Sequence, residues 1–232
     1  MTTTGNNLFT SDIKGNLKQW TIAGNTVLLK EWEKPHDLIL SIDATEDGQF
    51  LFTSDGYGNL KQFDIASGEL TYDYEKVHDS AIRKIKATKD SKYLFTADDK
   101  GNIKQWLIEA YSLVRDFGKA HQHEIRSIIP TSDNKFLFSI DKIGNLKQWF
   151  VKDTTENDEI DDEPAPSKSE VDFEEMASQK HITLKDNVGH DFDPEVQKIR
   201  DDLEYKKNLK KDFGKIQLAN VNSLALTPDD KY

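Results

Sequence analysis

The sequence predicts an all-β fold built from stacked four-stranded units, and three observations point to it. A six-residue phrase, GNLKQW at Gly15–Trp20, returns as GNLKQF at Gly58–Phe63, GNIKQW at Gly101–Trp106 and GNLKQW at Gly144–Trp149, spaced by 43 residues each time. Short apolar runs such as LFTS, LKQW, TVLL and LVRDF alternate with turn formers such as Asp-Gly, Gly-Asn and Pro-Asp, which is the pattern of short strands and tight turns. Hydrophobic residues make up 36% of the 232 and aromatics 10%, enough for a core of that kind.

The elements of one period follow in order. A first strand is carried by ILSIDATEDGQF, IRKIKATKDSKY and IRSIIPTSDNKF. A second begins at the LF dipeptides of Leu8, Leu51, Leu94 and Leu137, and the repeated phrase is the third. A fourth is carried by TVLL, LTYDY and LVRDF, and leads into a loop with a histidine: EKPHD, EKVHD and GKAHQ. Counted from the LF dipeptides, the repeats run 8–50, 51–93, 94–136 and 137–152, the last resuming at 206–232. Four strands per period is the unit of a β-propeller blade, and a period of 43 falls in the range of such blades. An isolated blade would leave both sheet faces wet, so blades must stack face to face.

An insertion breaks the last repeat. The string DFGK at Asp116 recurs at Asp212, 53 residues later than the period requires. Between Asp153 and Tyr205, 18 acidic residues stand against 5 basic ones, a net of −13 in a chain whose total is −11. The repeats are therefore close to neutral. The first part of the insertion, 153–175, has 11 acidic residues and one lysine and is expected to be disordered. The second is expected to be helical, with Asp193 as N-cap, Pro194 at the first helical position, and Val196, Ile199 and Leu203 on one face. Thr155, Ser167 and Ser169 each have an acid three residues on and are candidate sites for an acid-directed kinase, adding about −2 of charge each.

In these residues and their spacing, the repeats resemble the WD40 (G-protein β-like) family over nearly all of the chain outside the insertion. The resemblance implies a hydrogen-bonded tetrad of His, Ser or Thr, Asp and Trp in each blade. The matching histidines are His36, His78 and His121; the matching aromatics are Phe63, Trp106 and Trp149, with Trp20 in the seam repeat. The family's Asp lies six residues before the Trp, where this chain has Lys14, Tyr57, Lys100 and Ile143. Aspartate instead stands in the family's Ser or Thr position, at Asp12, Asp55, Asp98 and Asp141. The expectation is a shortened network in which each His meets Asp directly, with Gln217 replacing His at the seam. The closing Trp-Asp dipeptide is lost in every repeat.

Several chemistries are disfavoured. Cysteine is absent, so there are no disulfides or thiolate metal sites, which fits a reducing compartment. No apolar run approaches the roughly 18–20 residues of a membrane span. The N-terminus lacks a basic start and an apolar stretch, and a cytoplasmic or nuclear location is expected. The acidic net charge disfavours nucleic acid. His–Asp pairs that recur in successive blades are structural, because an active site needs different residues converging on one point. The acids of HDFDPE (His190–Glu195) fit a helix N-cap better than a calcium loop, which would need a central Gly and a terminal Glu. No cofactor or metal site is expected.

Lys18, Lys61, Lys104 and Lys147 are expected to pack between blades. The adjacent Gln19, Gln62, Gln105 and Gln148, if buried, need hydrogen-bond partners, expected on the neighbouring blade. In WD40 relatives, the face with the His loop and the turn between second and third strands is the usual docking surface. The resemblance therefore implies a partner-binding face of Lys14, Tyr57, Lys100 and Ile143 in one set of turns and Asp37, Asp79, Gln122 and His123 in the other. Tyr57 and Ile143 are the expected anchors. The function this implies is a non-catalytic protein-interaction scaffold. The alternatives are a propeller hydrolase with a metal in its channel, or the regulatory part of a larger protein with its catalytic domain elsewhere. The acidic stretch either solvates a loop or offers a site to a basic partner.

A further copy of the first-strand motif, VNSLALTPDDKY, closes the sequence at Val221–Tyr232. Either it completes a small closed ring with the N-terminal strands, or the chain is one part of a larger propeller. The turn is supplied twice, before Leu8 and after Thr227, and that redundancy favours the larger ring.

Overall fold

The phrase that repeats in the sequence is a strand flanked by its turn. The computed structural model describes residues 7–151 and 209–215, and places in them fifteen strands and no helix. The first sheet holds β1 (Asn7–Ser11), β2 (Leu17–Thr21) and β3 (Val27–Trp32). The second holds β4 (Ile39–Ala44), β5 (Phe50–Asp55), β6 (Asn59–Asp64) and β7 (Leu70–Lys76). The third holds β8 (Ile82–Ala87), β9 (Tyr93–Asp98), β10 (Asn102–Leu107) and β11 (Ser112–Lys119). The fourth holds β12 (Ile125–Pro130), β13 (Phe136–Asp141), β14 (Asn145–Phe150) and β15 (Leu209–Lys215). Neighbouring strands are antiparallel throughout, in chain order across each sheet. The fourth sheet leaves off at Phe150 and resumes at Leu209, so the insertion falls between its third and fourth strands. The residues expected to be disordered, helical or phosphorylated, with Gln217 and Val221–Tyr232, lie outside the described residues.

The LF dipeptide explains how the sheets stack. Side chains alternate across a strand, so Leu and Phe leave on opposite faces. Leu51 packs towards the first sheet with Leu17, Trp32, Ile39 and Phe63. Phe52 packs towards the third with Leu60, Ile82, Leu94 and Trp106. One period on, Leu94 shares that second layer, while Phe95 enters the layer against the fourth sheet with Ile103, Ile125, Leu137 and Trp149. A strand apolar on both sides is what a sheet sandwiched between two others requires. Each fully buried Leu or Phe contributes roughly 1.5–3 kcal/mol. β9 is buried at every position, whereas in β1 Leu8 remains 40% exposed.

Each first strand of the three complete sheets carries an irregularity at the same place. The register slips between Ile39 and Ser41, between Ile82 and Lys84, and between Ile125 and Ser127. These are β-bulges that leave Leu40, Arg83 and Arg126 unpaired in the ladder.

Candidate functional site

The end of the sheets where the histidine loops lie is assembled from a turn, a loop and two strands. In the turn, aspartate acts as an organiser. Asp55 accepts hydrogen bonds at Oδ1 from the backbone N–H of Tyr57 (2.8 Å) and Asn59 (2.9 Å), and at Oδ2 from Asn59 Nδ2 (2.7 Å). Asp12, Asp98 and Asp141 hold Asn16, Asn102 and Asn145 in the same way. The turn closes through glycine with φ of 83–93° at Gly15, Gly58, Gly101 and Gly144, a backbone region where side chains are strained. A Cβ at Gly15, Gly58 or Gly101 would land on the carbonyl oxygen of His36, His78 or His121. The Asp-x-x-Gly-Asn string is thus a turn built so that the next histidine loop can lie against it. His121 N donates to Gly101 O (3.0 Å) and Val77 N to Gly58 O (2.9 Å).

The histidine side chains reach the other way, into their own sheets. His36 bonds Asp55 Oδ2 through Nδ1 (3.1 Å) and Thr53 Oγ1 through Nε2 (2.9 Å). His78 and His121 meet Thr96 Oγ1 and Ser139 Oγ through Nε2, both at 2.7 Å. Their Nδ1 atoms lie 3.3 Å and 3.6 Å from Asp98 and Asp141. Trp106 Nε1 donates to Thr96 Oγ1 (3.0 Å) and Trp149 Nε1 to Ser139 Oγ (2.8 Å). Each His lies beside its Asp, as expected from the sequence, and the network is longer than expected. A hydroxyl two residues before each aspartate joins Trp to His, so the third and fourth sheets have four members, Trp, Thr or Ser, His and Asp. In the second sheet, Phe63 has no donor and the chain stops at Thr53. In the first, Trp20 Nε1 donates to Thr10 Oγ1 (2.9 Å), beside the turn of Asp12.

Burial disfavours the charged form of two of these histidines, His36 and His121. It pushes His36 below the usual imidazole range, and takes His121 down to about 4, with the Lys147 ammonium as the second cause. Burial works against the Asp98 carboxylate, but bonds from His78 and Asn102 outweigh it and bring the group to about 2. Asp55 and Asp141 are lowered against burial in the same manner by Asn59 and Asn145. A Ser–His–Asp order in an open cleft can activate a hydroxyl. Here Thr53, Thr96 and Ser139 are fully buried, and Thr96 and Ser139 already accept a bond from Trp, so the hydroxyls act as connectors.

The repeated lysines and glutamines finish the frame. Lys61, Lys104 and Lys147 each donate from Nζ to the carbonyl just before a histidine, Pro35, Val77 and Ala120, all at 2.9 Å. They also pair with Asp73, Asp116 and Asp212 on the fourth strand of the same sheet. Lys18 pairs with Glu31 (3.2 Å). Gln19, Gln62 and Gln105 are buried. The Gln62 carbonyl accepts from Tyr74 OH (3.0 Å), a partner within its own sheet rather than on the neighbouring one.

Around this frame lie the residues expected to face a partner. Lys14, Tyr57, Lys100, Asp37, Asp79 and Gln122 are exposed. Tyr57, 65% exposed, stands over a groove of about 400 Å³ whose rim includes Lys34, Asp37, Asp73 and Glu75. Ile143, the other expected anchor, is half-buried. His123 leans onto Asp141, Nδ1 to Oδ2 at 3.5 Å, where the equivalent Ser80 donates to Asp98 at 2.9 Å. Sequence reasoning missed Thr53, Thr96, Ser139 and the four asparagines as network members. The signal was their strict recurrence at fixed distance from aspartate. Among the described residues, no group of three or more His, Cys, Asp or Glu side chains is placed to hold a metal ion, and no helix is long and apolar enough to cross a membrane. No protein-family model matches the sequence, and no curated protein matches it significantly.

Proposed function

We propose that this chain is a WD40-like β-propeller region and serves as a non-catalytic scaffold that docks other proteins on the end of the sheets bearing the histidine loops. One observation supports the reading above the rest. The buried histidines meet hydroxyls and aspartates of their own sheets while their loops rest on the turns of the sheet before, and those turns present outward side chains of differing character. Rigid turns that display variable residues suit recognition, because little ordering is lost on binding. Tyr57 is the natural anchor, as exposed tyrosine dominates many interfaces.

The test compares affinity capture by the wild type with capture by a Tyr57→Ala, Asp79→Ala, Lys100→Ala variant. A second comparison changes Glu46 and Lys89 at the opposite turns to Ala. Interactors lost with the first variant and kept with the second are the expected result. Identical capture by all three proteins overturns the reading.

A further inference from the structure

Two of the three bulges described above present an arginine, and both arginines share one carboxylate. Arg83 Nε lies 3.4 Å from Glu124 Oε1, and Arg126 Nη2 lies 3.3 Å from Glu124 Oε2. A bulge places an extra residue opposite one partner and turns its side chain out of the regular alternation. That accounts for two long cations leaving neighbouring strands, β8 and β12, at one point. In the second sheet, the same position is Leu40, so the pairing is particular to this place in the molecule.

One carboxylate stands between two guanidinium groups. Arg83 Nε has only its ion pair to Glu124, outside hydrogen-bond geometry, and Arg126 Nε has no hydrogen-bond acceptor among the described residues. The backbones of Asp99 and Lys142 flank the site, Asp99 N bonding Ala81 O (3.0 Å) and Lys142 N bonding Glu124 O (2.9 Å). The nearby carboxylates of Asp98 and Asp141 are buried and bonded to Asn102 and Asn145, whereas the two arginine side chains are 40% and 37% exposed and so within reach of a ligand. The guanidinium fork matches a carboxylate in two-point geometry. Arg83 follows Ile82, whose ladder partner is Asp98, and Arg126 follows Ile125, whose partner is Asp141. The pair therefore sits at the end of the sheets that carries the histidine loops.

We infer that Arg83 and Arg126 form a binding point for an acidic side chain, Asp or Glu, of a docked peptide segment. Glu124 holds the two guanidinium groups together when the point is empty, and the incoming carboxylate takes up the donors that Glu124 leaves unused. The inference rests on the docking reading above and names the chemistry of its partner.

The experiment measures fluorescence anisotropy of a labelled (Glu-Gly)4 peptide against the full chain, with (Gln-Gly)4 as the uncharged control. The wild type should bind the acidic peptide saturably. Arg83→Gln, Arg126→Gln together should weaken it at least tenfold. Glu124→Gln should tighten it several-fold by removing the internal competitor. Glu46→Gln alters net charge by the same amount at the opposite turns and should leave it unchanged. Equal binding by wild type and the double variant overturns the inference, as does equal tightening by Glu124→Gln and Glu46→Gln. Binding of a short oligonucleotide in place of the peptide overturns it too. If circular dichroism shows the double variant unfolded, each single variant is read instead, with at least a threefold loss expected from both. A negative result here, with the capture differences at Tyr57 intact, sinks this inference and leaves the docking reading standing.

Discussion

A buried hydroxyl that serves two partners is worth more than one that serves a single partner, and the repeats supply the comparison. Thr96 meets both His78 and Trp106, whereas Thr53 meets only His36 because Phe63 has no donor. Valine keeps the shape and removes the hydroxyl. Thr96→Val should therefore destabilise more than Thr53→Val, by about 1 kcal/mol or more, as one further buried donor is orphaned. Chemical denaturation of both variants tests this, and equal losses would contradict the network. The histidines make a second prediction. His36 and His121 have folded pKa values below the ordinary 6.5, that of His121 at about 4. The unfolded chain thus takes up protons first as pH falls, and stability is full above about pH 6.5 and lost from there towards pH 4. Asp98, lowered to about 2, adds a loss below the ordinary carboxylate range. His121→Gln should flatten the change in melting temperature between pH 6.5 and 4; an unchanged slope would show that His121 is not its source.

Two different turns separate the two requirements on glycine. Gly58 combines a φ of 93° with a His78 carbonyl in the place of a side chain, while Gly24, at 81°, has open space around it. Gly24→Ala should cost about 1 kcal/mol for backbone strain alone. Gly58→Ala should cost about 2–4 kcal/mol, because the loop of the next sheet must also move. Thermal melts of the two variants settle the difference. The elements themselves were legible in the sequence, since LF dipeptides, turn formers and a constant period specify strands directly. The network was less legible. Aspartate suggested a member of the His chain, and it is one, yet its larger role is to fix the turn through asparagine four residues on. Spacing alone does not reveal which of two nearby polar side chains points inward; that depends on the pleat of β5, β9 and β13.

The stacking of sheets sets how stability is distributed over the described residues. β5 and β9 lie between neighbours on both faces and are almost wholly buried, whereas β1 and β3 are largely exposed. Amide hydrogen exchange should be slowest in β9 and β5 and fastest in β1 and β3; uniform protection would contradict this picture. The stacking could be anticipated, because strands apolar on both sides have to be covered twice. The arginine pair could not, since nothing in a period of 43 indicates where a bulge will aim its side chain or that Glu124 will receive two of them.

Every joint between sheets is made of parts that recur one period apart: a glycine turn behind, a histidine loop in the middle, a hydroxyl and an aspartate ahead. Removing residues 51–93 would bring Leu94 after Phe50, so that His36, still resting on Gly15, would find Thr96 and Asp98 where Thr53 and Asp55 had been. Such a shortened chain loses a sheet and keeps its joints. Removing residues 51–80 instead would strand the His36 loop without its hydroxyl and carboxylate. The repeat is therefore the natural quantum of gain and loss for this sequence, and length can vary in steps of 43 with each copy free to diverge on its outward turn.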